Sequence, residues 1–148
     1  MPYFTYDTSV IVSRSLSLHE MPRNFVMSAV VMMELISSAT DSSRRKSYEH
    51  FFRQYQSGNL LIVPNADDWL LAAKIMFLLT QDRRREGRGK LKRLPPGASQ
   101  RLALDVLIAV SARRWKAQVV TENWADFKSI QRYCNTTIIK AAQFFRRQ

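Results

Sequence analysis

Twelve carboxylates serve a chain that carries 23 lysines and arginines, and three of those acids stand in apolar company. Asp7 closes the run Tyr3-Phe4-Thr5-Tyr6, Glu34 follows Val30-Val31-Met32-Met33, and Asp105 separates Leu102-Ala103-Leu104 from Val106-Leu107-Ile108-Ala109-Val110. Residues so placed are expected to be at least partly buried, and a buried carboxylate is costly unless a cation or hydrogen-bond donors compensate it. Two compensations are open. Each acid has its own arginine or backbone cap, which the basic composition makes easy to arrange, or several acids share one divalent metal. Asp126, just after a short strand, joins Asp7 at one edge of a parallel sheet, where a helix acid could meet both. Mg2+ and Mn2+ prefer oxygen ligands and keep waters, so a few carboxylates around an open hydrated ion suit phosphate chemistry.

The elements that must position these acids follow from patterning. Residues 3–6 read as a strand that delivers Asp7, with a second apolar group, Val10-Ile11-Val12, directly behind. Residues 25–27 read as another strand, and Ser28 is a natural N-cap for a helix over 29–39 that contains Glu34. Tyr48, Phe51, Phe52 and Tyr55 recur at the helical period and predict a helix over 44–56, ended by Ser57-Gly58-Asn59. Residues 60–63 form a strand stopped by Pro64, and Asn65 caps the next helix with Asp67 and Asp68 in its first turn. A helix over 102–115 carries Asp105, a strand spans 118–121, and a turn into a brief helix over 123–130 carries Asp126. A last strand at 137–139 precedes a polar tail. Strands alternating with long helices imply a parallel sheet covered on both faces, with function at the carboxyl ends of the strands.

A formal net charge of +11 attracts polyanions: nucleic acid, an anionic membrane or an acidic protein. Residues 82–101 read as a basic loop, and between positions 83 and 93 Arg83, Arg84, Arg85, Arg88, Lys90, Lys92 and Arg93 oppose the one acid Glu86. Such a loop is either a solvated surface or a clamp for phosphates. Cys134 is the sole cysteine, which excludes an internal disulfide, and His19 and His50 lie outside any zinc-protease pattern. No apolar run approaches the roughly 18 residues a membrane helix needs, and the first residues lack the signature of a signal peptide. The expectation is one domain over residues 1–148, cytoplasmic, with no membrane association.

Four segments together resemble the successive signatures of PIN domains, particularly the VapC-like toxins. These are Asp7-Thr8-Ser9-Val10-Ile11-Val12, Ser28-Ala29-Val30-Val31-Met32-Met33-Glu34-Leu35, Leu104-Asp105-Val106-Leu107-Ile108-Ala109-Val110-Ser111-Ala112, and Val119-Val120-Thr121-Glu122-Asn123-Trp124-Ala125-Asp126-Phe127. The resemblance implies a three-layer α/β/α sandwich with a central, mainly parallel sheet and an acidic pocket for Mg2+ or Mn2+. Asp7, Glu34 and Asp105 match the family's core acids. Asp126 is carried over as a fourth ligand, direct or through water; its bland alternative is a stabilising acid in a helix's first turn. Asn123 stands in the turn where some members carry an Asp, and Ser9, Thr121 and Asn123 are polar accessories. The activity implied is endoribonucleolytic phosphodiester hydrolysis leaving 5′-phosphate and 3′-hydroxyl ends, by a homodimeric toxin restrained by a small antitoxin. Helices 28–39 and 44–56 are candidates for the antitoxin groove. The competing readings are a catalytically silent nucleic-acid- or partner-binding module and a DNA-directed nuclease of the same fold.

Overall fold

The computed structural model describes residues 1–87 and 96–148. In chain order the elements are β1 (Phe4–Tyr6), α1 (Thr8–Ser13), β2 (Met27–Ser28), α2 (Ala29–Ser37), α3 (Ser42–Ser57) and β3 (Leu61–Ile62). They continue with α4 (Ala66–Glu86), α5 (Ala98–Arg114), β4 (Gln118–Thr121), α6 (Trp124–Gln131), β5 (Ile138–Lys140) and α7 (Ala141–Arg146).

Among the described residues every strand pairing is parallel. β4 lies between β1 and β5, with Thr5 opposite Val119 and Val119 opposite Ile138. On the other side of β1, Phe4 bridges Phe25 and accepts a hydrogen bond from the Val26 amide at 2.9 Å, after which β2 pairs with β3. The spatial order is therefore β3-β2-β1-β4-β5, and the succession of strands reverses between β1 and β4. In open α/β sheets, ligands bind beyond the carboxyl ends of the strands at such a reversal.

The strands are short, so the covering layers do most of the anchoring. Phe4 and Tyr6 point to one face, where they meet Phe25, Phe144 and Phe145 of α7, with ring centroids 4.9 to 5.9 Å apart. Tyr55 of α3 joins the same cluster through Phe25. Burying a large apolar side chain contributes about 1.5–3 kcal/mol, so this cluster fixes β1 firmly. The other layer is built on α5, whose residues from Val106 to Ala112 are all buried and which contacts β4, α2, α4 and α6. The result is the three-layer, PIN-like α/β/α sandwich.

Capping sets where the helices start. Ser28 accepts from the Val30 amide at 3.2 Å and Asp41 from that of Arg44 at 2.7 Å. Asn65 and Asp68 form a reciprocal capping box at 2.8 and 3.0 Å. Asp68 is buried and pairs with Arg114 at 3.1 Å, while Arg114 also donates to the Val63 carbonyl at 2.7 Å. The start of α4 is thereby tied to the end of α5.

The apolar group Val10-Ile11-Val12, which patterning leaves without an element, belongs to helix α1, because Asp7 supplies an N-cap that outweighs their β-branched preference. Several other sequence expectations need correction. The strand expected at 25–27 is a bridge at Phe25 followed by β2 at Met27–Ser28. The tail after β5 is helical, held by Phe144 and Phe145. Within the span expected as a basic loop, 82–101, both described ends are helical: α4 runs to Glu86 and α5 begins at Ala98. Arg83, Arg84 and Arg85 thus form the last turn of a helix, where cations favour the dipole. Arg88, Lys90, Lys92 and Arg93 lie outside the described residues.

Candidate active site

Asp7 leaves the end of β1, only 2% exposed, and starts α1. Its Oδ1 accepts from Ser9 Oγ at 2.6 Å and from the Val10 amide at 3.2 Å, and its Oδ2 accepts from Thr121 Oγ1 at 2.6 Å. Thr121 ends β4, the neighbouring strand, and its oxygen also accepts from the Asn123 amide at 2.8 Å. The carboxyl ends of β1 and β4 are thus joined by side chains as well as by the sheet.

Glu34 projects from the middle of α2, half-buried, and accepts from Thr8 Oγ1 at 2.9 Å. Asp105 comes from α5, also half-buried, and accepts from Asn123 Nδ2 at 3.3 Å. The same nitrogen donates to Asp126, an exposed residue in the first turn of α6, at 2.9 Å. All four acids line one cavity of about 380 Å³, together with Thr8, Ser9, Asn123 and Arg101.

The charges in this cavity oppose one another. Burial, then the nearby carboxylates of Asp7, Glu34 and Asp126, pushes the Asp105 carboxyl up to about 8, against a smaller lowering by its Asn123 hydrogen bond. Burial also raises Asp7, although Ser9, Thr121 and the Val10 amide pull the other way. Glu34 is raised by burial and by Asp7, with Thr8 opposing. Among the described residues none of the four forms a salt bridge. The private arginine that would neutralise each acid is therefore not what compensates them here. Hydrogen bonds do so in part, and the rest of the cost remains as raised affinity for protons.

A cation would lower that cost, and the donor set fits a hard divalent ion, which takes carboxylate oxygens and waters. Among the described residues no three acids already converge into a cage for one ion; Asn123 spans Asp105 and Asp126 instead. A carboxylate raised by like charges is also a frequent mark of a functional site.

The sequence reading did not pick out Thr8 or Arg101. Thr8 was hidden by the missed helix, since only α1 turns its hydroxyl toward Glu34. Arg101 was assigned to the loop, although its position four residues before Asp105 places both on one helix face. Arg84 and Arg85 are exposed, whereas Arg83 is half-buried and donates to Thr80 Oγ1 at 3.1 Å. His19 and His50 are exposed and flank Phe51, His19 edge-on at 4.5 Å. Among the described residues no helix is long and apolar enough to cross a membrane.

The fold defines the class: a PIN-like sandwich with acids at the strand reversal. No protein-family model and no curated protein matches the chain. Among solved structures it is similar to a chain of the DNA-bound VapBC from Salmonella typhimurium, with 19% identity, a TM-score of 0.52, and coverage of 95% of this chain and 99% of that one. VapBC-1 from nontypeable Haemophilus influenzae is similar at 17% identity and TM-score 0.52, over 95% and 98% of the two chains. VapBC-5 from Mycobacterium tuberculosis, a member of the VapBC family of toxin-antitoxin systems, is similar at 19% and 0.51, over 95% and 99%. At these identities the likeness establishes the fold, over nearly the whole chain.

Proposed function

We propose that this chain is a divalent-metal-dependent endoribonuclease and the toxin of a toxin-antitoxin pair. One observation carries the reading: four carboxylates from β1, α2, α5 and α6 line one cavity at the strand reversal, and among the described residues none has a cationic partner. Asp7, Glu34, Asp105 and Asp126 would hold Mg2+ or Mn2+, Asp126 directly or through water. Such an ion supplies an activated water for attack on phosphorus and neutralises charge on the phosphate and the leaving oxygen.

The residues around the acids serve that arrangement. Ser9 and Thr121 fix both oxygens of Asp7, leaving the carboxylate one orientation toward the cavity. Asn123 holds Asp105 and Asp126 at a set separation. The raised Asp105 carboxyl gives up its proton when a cation replaces it, so metal uptake is coupled to proton release. The exposed Arg84 and Arg85 add sequence-independent attraction for the RNA backbone.

The likeness to VapBC chains supports an antitoxin partner. Its place in this reading is a second cavity, of about 330 Å³, between α1, α2 and α3, with a mixed lining in which Val12, Leu16 and Tyr48 stand beside Ser15, Thr40 and Arg44. The reading also takes the chain as a homodimer. Its experiment offers structured RNA, single-stranded DNA and flap DNA to the purified protein under identical Mn2+. Cleavage of RNA alone supports the proposal. Cleavage of DNA alone moves the assignment to a DNA nuclease, and binding without cleavage of either moves it to a silent module.

A further inference from the structure

We infer that Arg101 is the phosphate-positioning residue of this pocket: its guanidinium takes the non-bridging oxygens of the RNA phosphodiester as that group approaches the carboxylates. The inference rests on the metal-dependent nuclease reading. Arg101 is the only basic side chain lining the cavity among the described residues. It stands on α5 one turn before Asp105, a spacing at which opposite charges commonly pair, yet among the described residues it makes no salt bridge with Asp105 or any other acid. The side chain is exposed, and Nη1 turns back over Gly97, 3.5 Å from where a Cβ would stand. Gly97 is suited to its place by its φ of +78°, which L side chains rarely adopt; a Cβ there would meet Arg101 only in ordinary van der Waals contact.

The dipole of α5 disfavours a cation here, while the carboxylates of the cavity attract one. The first turn of α5 contains no acid and its N-cap makes no side-chain hydrogen bond, so Arg101 sits near the positive end of the helix dipole with nothing in the turn to offset it. A phosphate entering the cavity offsets both. Metal held by the acids would neutralise one side of that phosphate, and a planar guanidinium at the rim can take two oxygens on another side, fixing orientation in a way a point charge does not. The bland account is a solvated arginine that braces the Gly97 turn.

Fluorescence anisotropy of a labelled single-stranded RNA oligonucleotide, titrated across a salt series in the Asp105→Asn background, separates the two accounts. Adding Arg101→Ala is expected to weaken binding by roughly ten- to a hundredfold and to reduce the slope of log affinity against log salt by about one. Arg101→Lys is expected to recover the salt slope but only part of the affinity. In the otherwise wild-type protein, Arg101→Ala raises KM for RNA and does not weaken calorimetric Mn2+ affinity. Unchanged RNA affinity and salt slope overturn the inference. So does a loss of Tm with no change in slope, which marks a brace. If the unsubstituted protein neither binds nor cleaves RNA with Mn2+, the nuclease reading itself has failed, and this inference falls with it.

Discussion

Asn123 Nδ2 lies 3.3 Å from Oδ2 of Asp105 and gives that carboxyl the only side-chain hydrogen bond it accepts among the described residues. The amide sits at the turn after β4, so the geometry of a turn sets the electrostatics of an acid on a distant helix.

Replacing that amide with a carboxylate should separate metal-free from metal-bound stability. Asn123→Asp removes the donor to Asp105 and Asp126 and adds a fifth carboxyl group to the cavity. In EDTA it should cost about 1–3 kcal/mol, seen as a lower Tm, while the Tm gain on adding Mn2+ should exceed that of the unsubstituted protein. Equal Tm gains in the two proteins would argue against Asn123 facing the metal.

Stability without metal should fall as pH rises. In the fold Asp105 keeps its proton until about 8, whereas in the unfolded chain an aspartate loses it near 4. Between those values the folded state binds more protons, so each step up in pH favours unfolding. The raised Asp7 and Glu34 carboxyls act in the same direction. Urea midpoints in EDTA should decline across this window. Asp105→Asn should flatten the decline and stabilise the metal-free protein at pH 8 by on the order of 1–3 kcal/mol, after allowance for solvent screening. A midpoint that rises with pH would be inconsistent with these carboxyls being protonated in the fold.

Thr121 is nearly isosteric with valine, which makes its hydroxyl testable alone. Thr121→Val leaves Asp7 Oδ2 and the Asn123 amide without their shared partner. Groups that orient metal ligands typically account for about 10- to 100-fold in metal affinity or activity, and a loss of that size in Mn2+ binding is expected. Thr121→Ser should restore most of it, and calorimetry of the three proteins is the check.

Asp68 is the contrasting acid. It is buried like Asp7, but it caps α4 and pairs with Arg114. Asp68→Ala should lower stability by about 2–3 kcal/mol in chemical denaturation, since it removes a cap and one member of a pair that is partly exposed. Below the denaturation range, RNA cleavage per folded molecule should stay unchanged.

The sequence made the four cavity acids visible because each interrupts an apolar run or follows a strand, and burial of a charge is legible in that contrast. β4 was legible to the residue, since Gln118-Val119-Val120-Thr121 sits between turn signals. α1 was not: Val10-Ile11-Val12 carries strand propensity, and only the contact between Asp7 and the Val10 amide turns it into a helix. The arginines at 83–85 suggested a loop through their charge, although arginine is a good helix former and suits a helix's last turn. α7 was obscured by flanking arginines, while Phe144 and Phe145, packed on Tyr6, decide its fold. Among the described residues, the absence of ion pairs at the four acids depends on distances between elements far apart in the chain and has no signature in local sequence.

The most direct measurement of the central claim is RNA cleavage by the purified chain with Mg2+ or Mn2+, with EDTA, and with Asp7→Asn and Asp105→Asn in parallel, each first shown to be folded by thermal unfolding. The account predicts metal-dependent cutting by the unsubstituted protein and background levels with EDTA and in both variants. Full cutting in EDTA, or by folded Asp105→Asn with metal present, would contradict it.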